Sequence, residues 1–218
     1  MRRLGVVILG LLLAILGLAR PVAAAAQFTI WPANYTYGTP SGQFTWTATT
    51  YAVAFEQSLA PFTSLRTNLA YGPTSNVTFS PSGALSGYSG GVLLADAALR
   101  VGLQTGPVGL AAYGGYGGLF FNATGPTAAD RVVLQSAGTR LGVEANVAAA
   151  PGVTLRGSYT ITSGLTTNAN FSVSQPPPGV TGNFTGSGTG NEYEVALVLS
   201  PVPTTSVYAG YRSGTQQI

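Results

Sequence analysis

The sequence predicts an all-β protein, an antiparallel up-and-down transmembrane β-barrel of about 8–10 strands with short turns at one end and long loops at the other. Three observations support this prediction. Only 7% of the 218 residues are charged although 45% are hydrophobic, whereas a water-soluble domain carries about a quarter charged residues. Beyond the N-terminus the apolar residues form no long run. They alternate with polar residues at the period of two that is typical of β-strands, and no helical period competes.

Residues 1–26 are predicted to be a cleaved signal peptide. Arg2 and Arg3 begin the segment, residues 4–19 are uncharged and almost wholly apolar, and alanines at 23–26 supply a cleavage site. A retained membrane anchor is the alternative, but the apolar stretch is short for a span of about 20 residues. Cleavage near Gln27 leaves six arginines and six acidic residues. We therefore expect a neutral mature chain that does not bind nucleic acid.

Four β-hairpins are predicted after residue 42, each with a short turn that contains proline. Their strands are 43–57 with 62–71, 91–104 with 108–121, 132–148 with 153–163, and 192–200 with 206–217, and their turn prolines are Pro61, Pro107, Pro151 and Pro201. Proline cannot donate to a β-ladder, which favours turns for these positions. The segments 72–90, 122–131 and 164–191 are rich in Gly, Ser, Thr, Asn and Pro, and they are predicted to be long loops.

The alternation indicates which strand face would meet lipid. In 93–103 the odd positions are Leu, Ala or Val, whereas the even positions include Asp96 and Arg100. A water-soluble barrel with such polar faces outside would have a poorly solvated surface. In a bilayer the apolar face meets lipid and the polar face lines the lumen. Ten of the twelve charges of the mature chain, all but Asp130 and Arg131, lie on polar strand faces.

These ten charged residues are predicted to form a belt of ion pairs in the lumen, because unpaired charge in a confined interior is costly. Hairpin registers chosen to pair the charges place three couples opposite each other: Glu56 and Arg66, Glu144 and Arg156, and Glu194 and Arg212. The complete belt is Glu56, Arg66, Asp96, Arg100, Arg140, Glu144, Arg156, Glu192, Glu194 and Arg212. Such a belt either plugs the lumen or lines a constriction that selects small solutes.

Five tyrosines are predicted to lie at a membrane interface. They fall on apolar strand faces near the ends that lead into the predicted long loops: Tyr51, Tyr71, Tyr159, Tyr193 and Tyr211. A girdle of aromatic residues is expected at that level of a membrane barrel.

The leader, the strand 93–103, the proline turns, the polar loops and the segment 207–212 together resemble the small outer-membrane β-barrels of diderm bacteria, of the OmpA, OmpX and OmpW type. The resemblance extends over residues 43–217 at the level of pattern. It implies insertion into outer-membrane lipid by the barrel assembly machinery, with turns in the periplasm and loops outside.

Residues 27–42 are predicted to be either an N-terminal tail or an additional strand, ahead of the barrel at 43–218. With a tail, the barrel closes with eight strands. With an additional strand at 28–37 there are nine, and an even-numbered barrel would need a tenth beyond Ile218. The last residues, 215–218, lack the terminal aromatic residue that is usual in the resembled family.

The composition argues against an enzyme. The chain has no histidine and no cysteine, which removes the commonest general base and every thiol nucleophile. No cofactor or metal is expected. We therefore expect a non-enzymatic outer-membrane barrel with a structural or surface-contact role and a plugged lumen. The alternatives are a narrow passive, porin-like pore for small solutes and a secreted soluble β-domain that binds glycans or surfaces.

Overall fold

The computed structural model describes residues 24–217 except 41, 81–82, 86, 128, 175–179 and 203–204, and these residues fold into ten β-strands. Residues 1–23 of the predicted signal peptide lie outside the described residues. The strands are β1 (Ala24–Thr39), β2 (Gly42–Ala60), β3 (Thr63–Ser80), β4 (Gly83–Ala84), β5 (Ser89–Thr105), β6 (Val108–Thr124), β7 (Arg131–Ala150), β8 (Val153–Val173), β9 (Val180–Val202) and β10 (Thr205–Gln217). The all-β fold that the sequence predicts is confirmed.

Nine strands hydrogen-bond into a closed ring, in the order β1-β2-β3-β5-β6-β7-β8-β9-β10, and the two-residue β4 lies against the end of β3. β1 pairs antiparallel with β2 and parallel with β10, where Phe28 lies opposite Val207. An up-and-down ring of nine needs one parallel pair, because its first and last strands run in the same direction. The nine strands fall within the predicted range of 8–10, but the parallel β1–β10 pair departs from the predicted antiparallel barrel. Residues 24–39 form a strand of the ring, so the alternative of an N-terminal tail with eight strands is wrong.

The four predicted hairpins are present as β2–β3, β5–β6, β7–β8 and β9–β10. Three of their turns lie at 61–62, 106–107 and 151–152. Pro201 lies within β9 rather than in a turn, and residues 203–204 of the fourth turn are outside the described residues. We call this end of the barrel the turn end and the opposite end the loop end.

The prediction of long loops is wrong, because most of those residues continue the strands. β3 reaches Ser80, β8 reaches Val173, and β9 begins at Val180. In 165–173 the inward side chains include Leu165, Ala169 and Phe171, which are buried, while the residues between them are polar and mostly exposed. The period of two therefore persists towards the loop end, but the apolar face now points inward.

The outer surface consequently has two zones. Towards the turn end, large apolar side chains point outward, as at Leu103, Leu110 and Val143, which are 63%, 61% and 58% exposed. We call this zone the apolar band; it comprises the outward residues of 28–32, 51–59, 65–71, 93–103, 108–116, 141–147, 153–161, 193–199 and 207–211.

Towards the loop end, six of the nine ring strands present an outward face of Ser, Thr, Asn, Gln and Gly alone. We call this zone the polar collar; it comprises the outward residues of 34–38, 43–49, 75–80, 166–172, 181–191 and 213–217. Two irregularities mark the change from band to collar. Asn76 in β3 and Gly164 in β8 both have positive φ, 51° and 59°, and each lies where the strand register shifts.

Inside the polar collar lies an aromatic core. Trp46 stacks on Phe121 with ring centroids 4.2 Å apart, and Phe44 packs on Phe79 at 4.5 Å and on Phe171 at 5.0 Å. All five rings are at most 2% exposed. The loop half of the barrel thus resembles a water-soluble protein, with apolar side chains inside and polar side chains outside. The turn half has apolar side chains outside and charged side chains inside.

Candidate functional site

All ten charged residues predicted for the belt point into the barrel towards its turn half. They form one connected network of nine ion pairs within 4.0 Å, which links seven of the nine ring strands. Among the described residues, Arg131 is the one charged side chain that points outward from a strand and is exposed. The five inward arginines balance the five inward carboxylates, so the network is electrically neutral.

Glu144 on β7 is the centre of one half of the belt. Its carboxylate forms ion pairs with Arg156 Nη2 at 2.5 Å, Arg100 Nη2 at 2.9 Å and Arg66 Nη1 at 3.4 Å. Asn146 Nδ2 donates a further hydrogen bond at 2.8 Å. The Glu144 side chain is only 4% exposed. Because Arg66 lies on β3, this cluster crosses the interior rather than following the wall.

The other half of the belt joins β9 to its neighbours. Arg212 Nη2 donates to Glu194 at 2.8 Å, and Arg212 Nε lies 3.6 Å from Glu192. Arg140 Nη2 lies 2.8 Å from Glu192, and Arg140 Nη1 lies 3.4 Å from Asp96. The two halves meet where Arg156 Nε approaches Glu194 at 4.0 Å. Arginine suits this arrangement because its planar group can donate to two carboxylates at once.

Two of the three predicted registers are correct. Glu56 lies opposite Arg66, and Glu194 lies opposite Arg212. In the third hairpin the strands are shifted by two residues, so that Glu144 faces Ser158. The Glu144–Arg156 ion pair still forms, diagonally.

Facing positions do not always become ion pairs. Glu56 contacts Arg100 at 3.6 Å, whereas Arg66 reaches across to Glu144. The long arginine side chains therefore reach carboxylates beyond the neighbouring strand, which the register of a single hairpin does not predict.

Glycines on β6 make room for the belt. A Cβ atom on Gly117 would lie 2.6 Å from Asp96 Cβ and 2.8 Å from Arg140 Cδ. A Cβ atom on Gly115 would lie 2.0 Å from the backbone oxygen of Ala97. The glycine-rich segment 113–118 thus allows close packing, and β6 contributes no charge of its own to the network.

Several side chains that contact the belt were not predicted from the sequence. Trp31 stacks under the Arg212 guanidinium at 4.1 Å, and Tyr208 lies 5.3 Å from that of Arg156. Asn68 donates to Asp96 at 3.2 Å. Trp31 lies in the segment that the sequence left open as tail or strand. In the sequence, Trp31, Ala33, Tyr35 and Tyr37 alternate with other residues, which indicates a strand with these four on one face but does not say that the face points inward.

The lumen is open at the turn end and narrows at the belt. A polar cavity of about 240 Å³ opens at the turn end, and its walls include Gln27, Glu56, Arg100, Gln104 and Asn146. Within the belt the free space falls to about 40 Å³, and above it, beneath the aromatic core, to about 20 Å³. The cavities therefore become smaller from the turn end towards the aromatic core.

The five tyrosines predicted for an interface all point outward, with exposures between 38% and 58%. Each lies on its strand close to the change from apolar band to polar collar. For example, Tyr51 is the first band residue after Thr49, and Tyr193 is the first after Asn191. They thus mark a boundary on the outer surface.

Asp130, one of two charged residues outside the belt in the part of the chain that the structure describes, binds two neighbouring segments at the loop end. Its carboxylate accepts the Ser174 backbone N–H at 2.8 Å and the Thr127 hydroxyl at 2.8 Å. These hydrogen bonds, those from Ser174 foremost, lower the pKa of Asp130 to about 2. Burial raises the pKa of the neighbouring Tyr88 to about 12, and the Asp130 charge acts in the same direction. Asp130 thus connects Thr127, in its own segment, with Ser174, which follows β8.

A comparison with protein-family models and with curated proteins finds no match for this chain. In the part of the chain that the structure describes, no helix has the length and hydropathy needed to cross a membrane. The described residues also contain no group of three or more acidic side chains placed to hold a metal ion. The two-zone surface and the contents of the lumen are therefore the features of the molecule that bear on its function.

Proposed function

We propose that this chain is a non-enzymatic outer-membrane β-barrel with a structural or surface-contact role, and that its lumen is plugged by the ion-pair belt. The observation that carries the proposal is the apolar band, which encircles a ring of inward charges. Water-soluble proteins rarely expose contiguous apolar patches larger than a few hundred Å². Outer-membrane lipid would cover this band, and the barrel assembly machinery would insert it, as the family resemblance implies.

The height of the band supports this proposal. On β5 the outward apolar residues run from Leu93 to Leu103, ten residue steps. At about 3.3 Å per step and a strand tilt of about 40°, they span about 25 Å along the barrel axis. This is about the height of the apolar zone on membrane barrels. The tyrosines would then lie at the interface nearer the loop end.

A plugged lumen is favoured over a narrow pore because two obstructions lie in series. Water or a solute that passed the belt would meet the aromatic core, whose rings are at most 2% exposed. Planar-bilayer recording tests this point. The plug predicts no stable unitary current. Stable currents that Arg100→Ala or Glu144→Ala abolishes would instead establish a charge-lined pore.

A pair of matched substitutions on β9 tests membrane insertion. Leu197 and Ser187 both point outward, but Leu197 belongs to the apolar band and Ser187 to the polar collar. An arginine at mid-bilayer costs about 2–4 kcal/mol. We expect Leu197→Arg to reduce the fraction recovered as folded, heat-modifiable barrel in membrane vesicles, and Ser187→Arg to leave it unchanged.

The same experiment separates the secreted soluble domain from the membrane barrel. A soluble domain would be recovered without detergent as a monomer in the medium, and it would tolerate Leu197→Arg as well as Ser187→Arg. That result would refute the proposed function.

A further inference from the structure

The polar collar is unusual because it is hydrophilic without being charged. Its outward residues on six neighbouring strands are Ser, Thr, Asn, Gln and Gly alone. A surface that meets bulk water normally carries about 25–35% charged residues. The collar also lies beyond the apolar band, over the aromatic core, so within the proposed function it stands clear of the lipid on the side of the loops.

The collar presents its hydroxyl and amide groups in a fixed array. Neighbouring strands are about 4.8 Å apart, and side chains on one face repeat about every 6.7 Å along a strand. Cross-strand hydrogen bonds hold some of these groups in place, such as Thr185 to Asn168 at 2.9 Å and Thr47 to Ser75 at 2.9 Å. These hydrogen bonds restrict the side chains that make them, so that less side-chain entropy is lost when a partner binds.

The chemistry of the collar argues against two common classes of partner, anionic groups and other proteins. Phosphate groups and anionic headgroups are bound through Arg and Lys, and the collar has neither. Protein interfaces are enriched in aromatic residues, Met and Arg and depleted in Ser. Hydroxyl and amide groups both donate and accept hydrogen bonds, which matches a partner that is itself neutral and rich in hydroxyl groups.

Aromatic side chains lie at the lower edge of the collar. Tyr193 and Tyr211 on adjacent strands have ring centroids 6.1 Å apart, and Asn34 Nδ2 donates to the Tyr211 hydroxyl at 2.9 Å. Tyrosine combines an apolar ring with a polar hydroxyl, so this group can cover the apolar face of a sugar ring while its polar atoms bind the ring's hydroxyls.

From these observations we propose that the polar collar is a contact surface for neutral polysaccharide on the outer side of the membrane. This proposal rests on the proposed function, since only an inserted barrel holds the collar at that level. It gives the surface-contact role a partner of defined chemistry.

Affinity electrophoresis of the detergent-solubilised full chain tests the proposal, with gels that contain dextran, mannan or galactan as neutral probes and dextran sulfate as the anionic probe. We expect at least one neutral probe to retard the protein equally at low and high salt. We expect the triple variant Thr47→Glu, Asn170→Glu and Thr185→Glu to weaken that association at least threefold. Arg131→Gln, outside the collar, should leave it unchanged.

Two outcomes would overturn the proposal: no retardation by any neutral probe, or retardation by dextran sulfate alone that disappears with salt. Flotation of the same variants with lipid vesicles is measured in parallel. Failure of the wild-type chain to float would refute the membrane barrel itself, whereas normal flotation without retardation would refute only the glycan contact.

Discussion

Replacing Glu144 with glutamine should destabilise the barrel more than any other single change in the belt. The Glu144 side chain is 4% exposed and contacts three arginines, of which Arg156 is itself only 6% exposed. Removing one partner of a buried ion pair costs about 3–5 kcal/mol, because the other charge remains buried without compensation. Glu56→Gln is the matched control. Glu56 is 22% exposed and contacts Arg100 at 3.6 Å, so its loss should cost about 0–1 kcal/mol.

Urea unfolding of the inserted barrel, followed by tryptophan fluorescence, measures the difference. Trp31 and Trp46 are the two tryptophans of the chain, and both are buried inside the barrel, so unfolding exposes them. In a thermal experiment a loss of about 3–5 kcal/mol corresponds to about 6–20 °C for a chain of this size.

The double variant Glu144→Gln with Arg156→Met completes the test. It removes the closest uncompensated charge and should recover part of the stability that Glu144→Gln loses, because apolar replacements of buried ion pairs are often tolerated. Equal costs for Glu144→Gln and Glu56→Gln, or no recovery in the double variant, would refute a belt organised around Glu144.

Three further changes test other features of the barrel. Gly117→Ala should cost about 1–3 kcal/mol of unfolding free energy, because the new methyl group would be overpacked against the belt. Gly157→Ala is the control and should be near neutral, because its Cβ would meet nothing nearer than 4.0 Å. Equal costs would contradict the claim that the β6 glycines make room for the belt. Phe62 has a φ of 67° in the turn between β2 and β3, which is unfavourable for a bulky residue, so Phe62→Asn should raise stability by about 1 kcal/mol in urea unfolding, and a loss would argue against strain there. The pKa of Asp130 is lowered to about 2. The stability that its carboxylate contributes is therefore complete above the unfolded pKa of about 3.9 and disappears as the pH falls through about 2. Hydrogen-exchange protection of the Ser174 amide should fall over that pH range, and in Asp130→Asn it should be low at every pH.

Much of the turn half could be predicted from the sequence. The apolar residues between Leu93 and Leu103 and between Tyr193 and Leu199 alternate strictly with other residues. Once one residue of such a strand is assigned to a face, the faces of all the others follow. The charges supplied a second constraint, which gave two of three registers. The third register was wrong because an arginine side chain is long enough to reach a carboxylate two residues away along the neighbouring strand. Glu144 and Arg156 can therefore form an ion pair in either register.

The loop half could not be predicted in the same way, because its apolar residues change faces. In β8 the register shift near Gly164 moves Leu165 and Phe171 to the inner face, and a pattern read as one continuous period breaks there. In β9, glycines such as Gly186 and Gly188 occupy the inner face and give no apolar signal. The parallel pairing of β1 with β10 depends on closure of the whole ring, which no local pattern encodes.

Spin labelling along β9 tests most directly whether the apolar band lies in lipid. The chain contains no cysteine, so single-cysteine variants can be labelled without a background. In vesicles, labels at 195 and 197 should collide more with oxygen than with a water-soluble nickel chelate, a label at 187 should show the reverse, and a label at 196 should be shielded from both. Preferential collision with the nickel chelate at 195 and 197 would contradict the account.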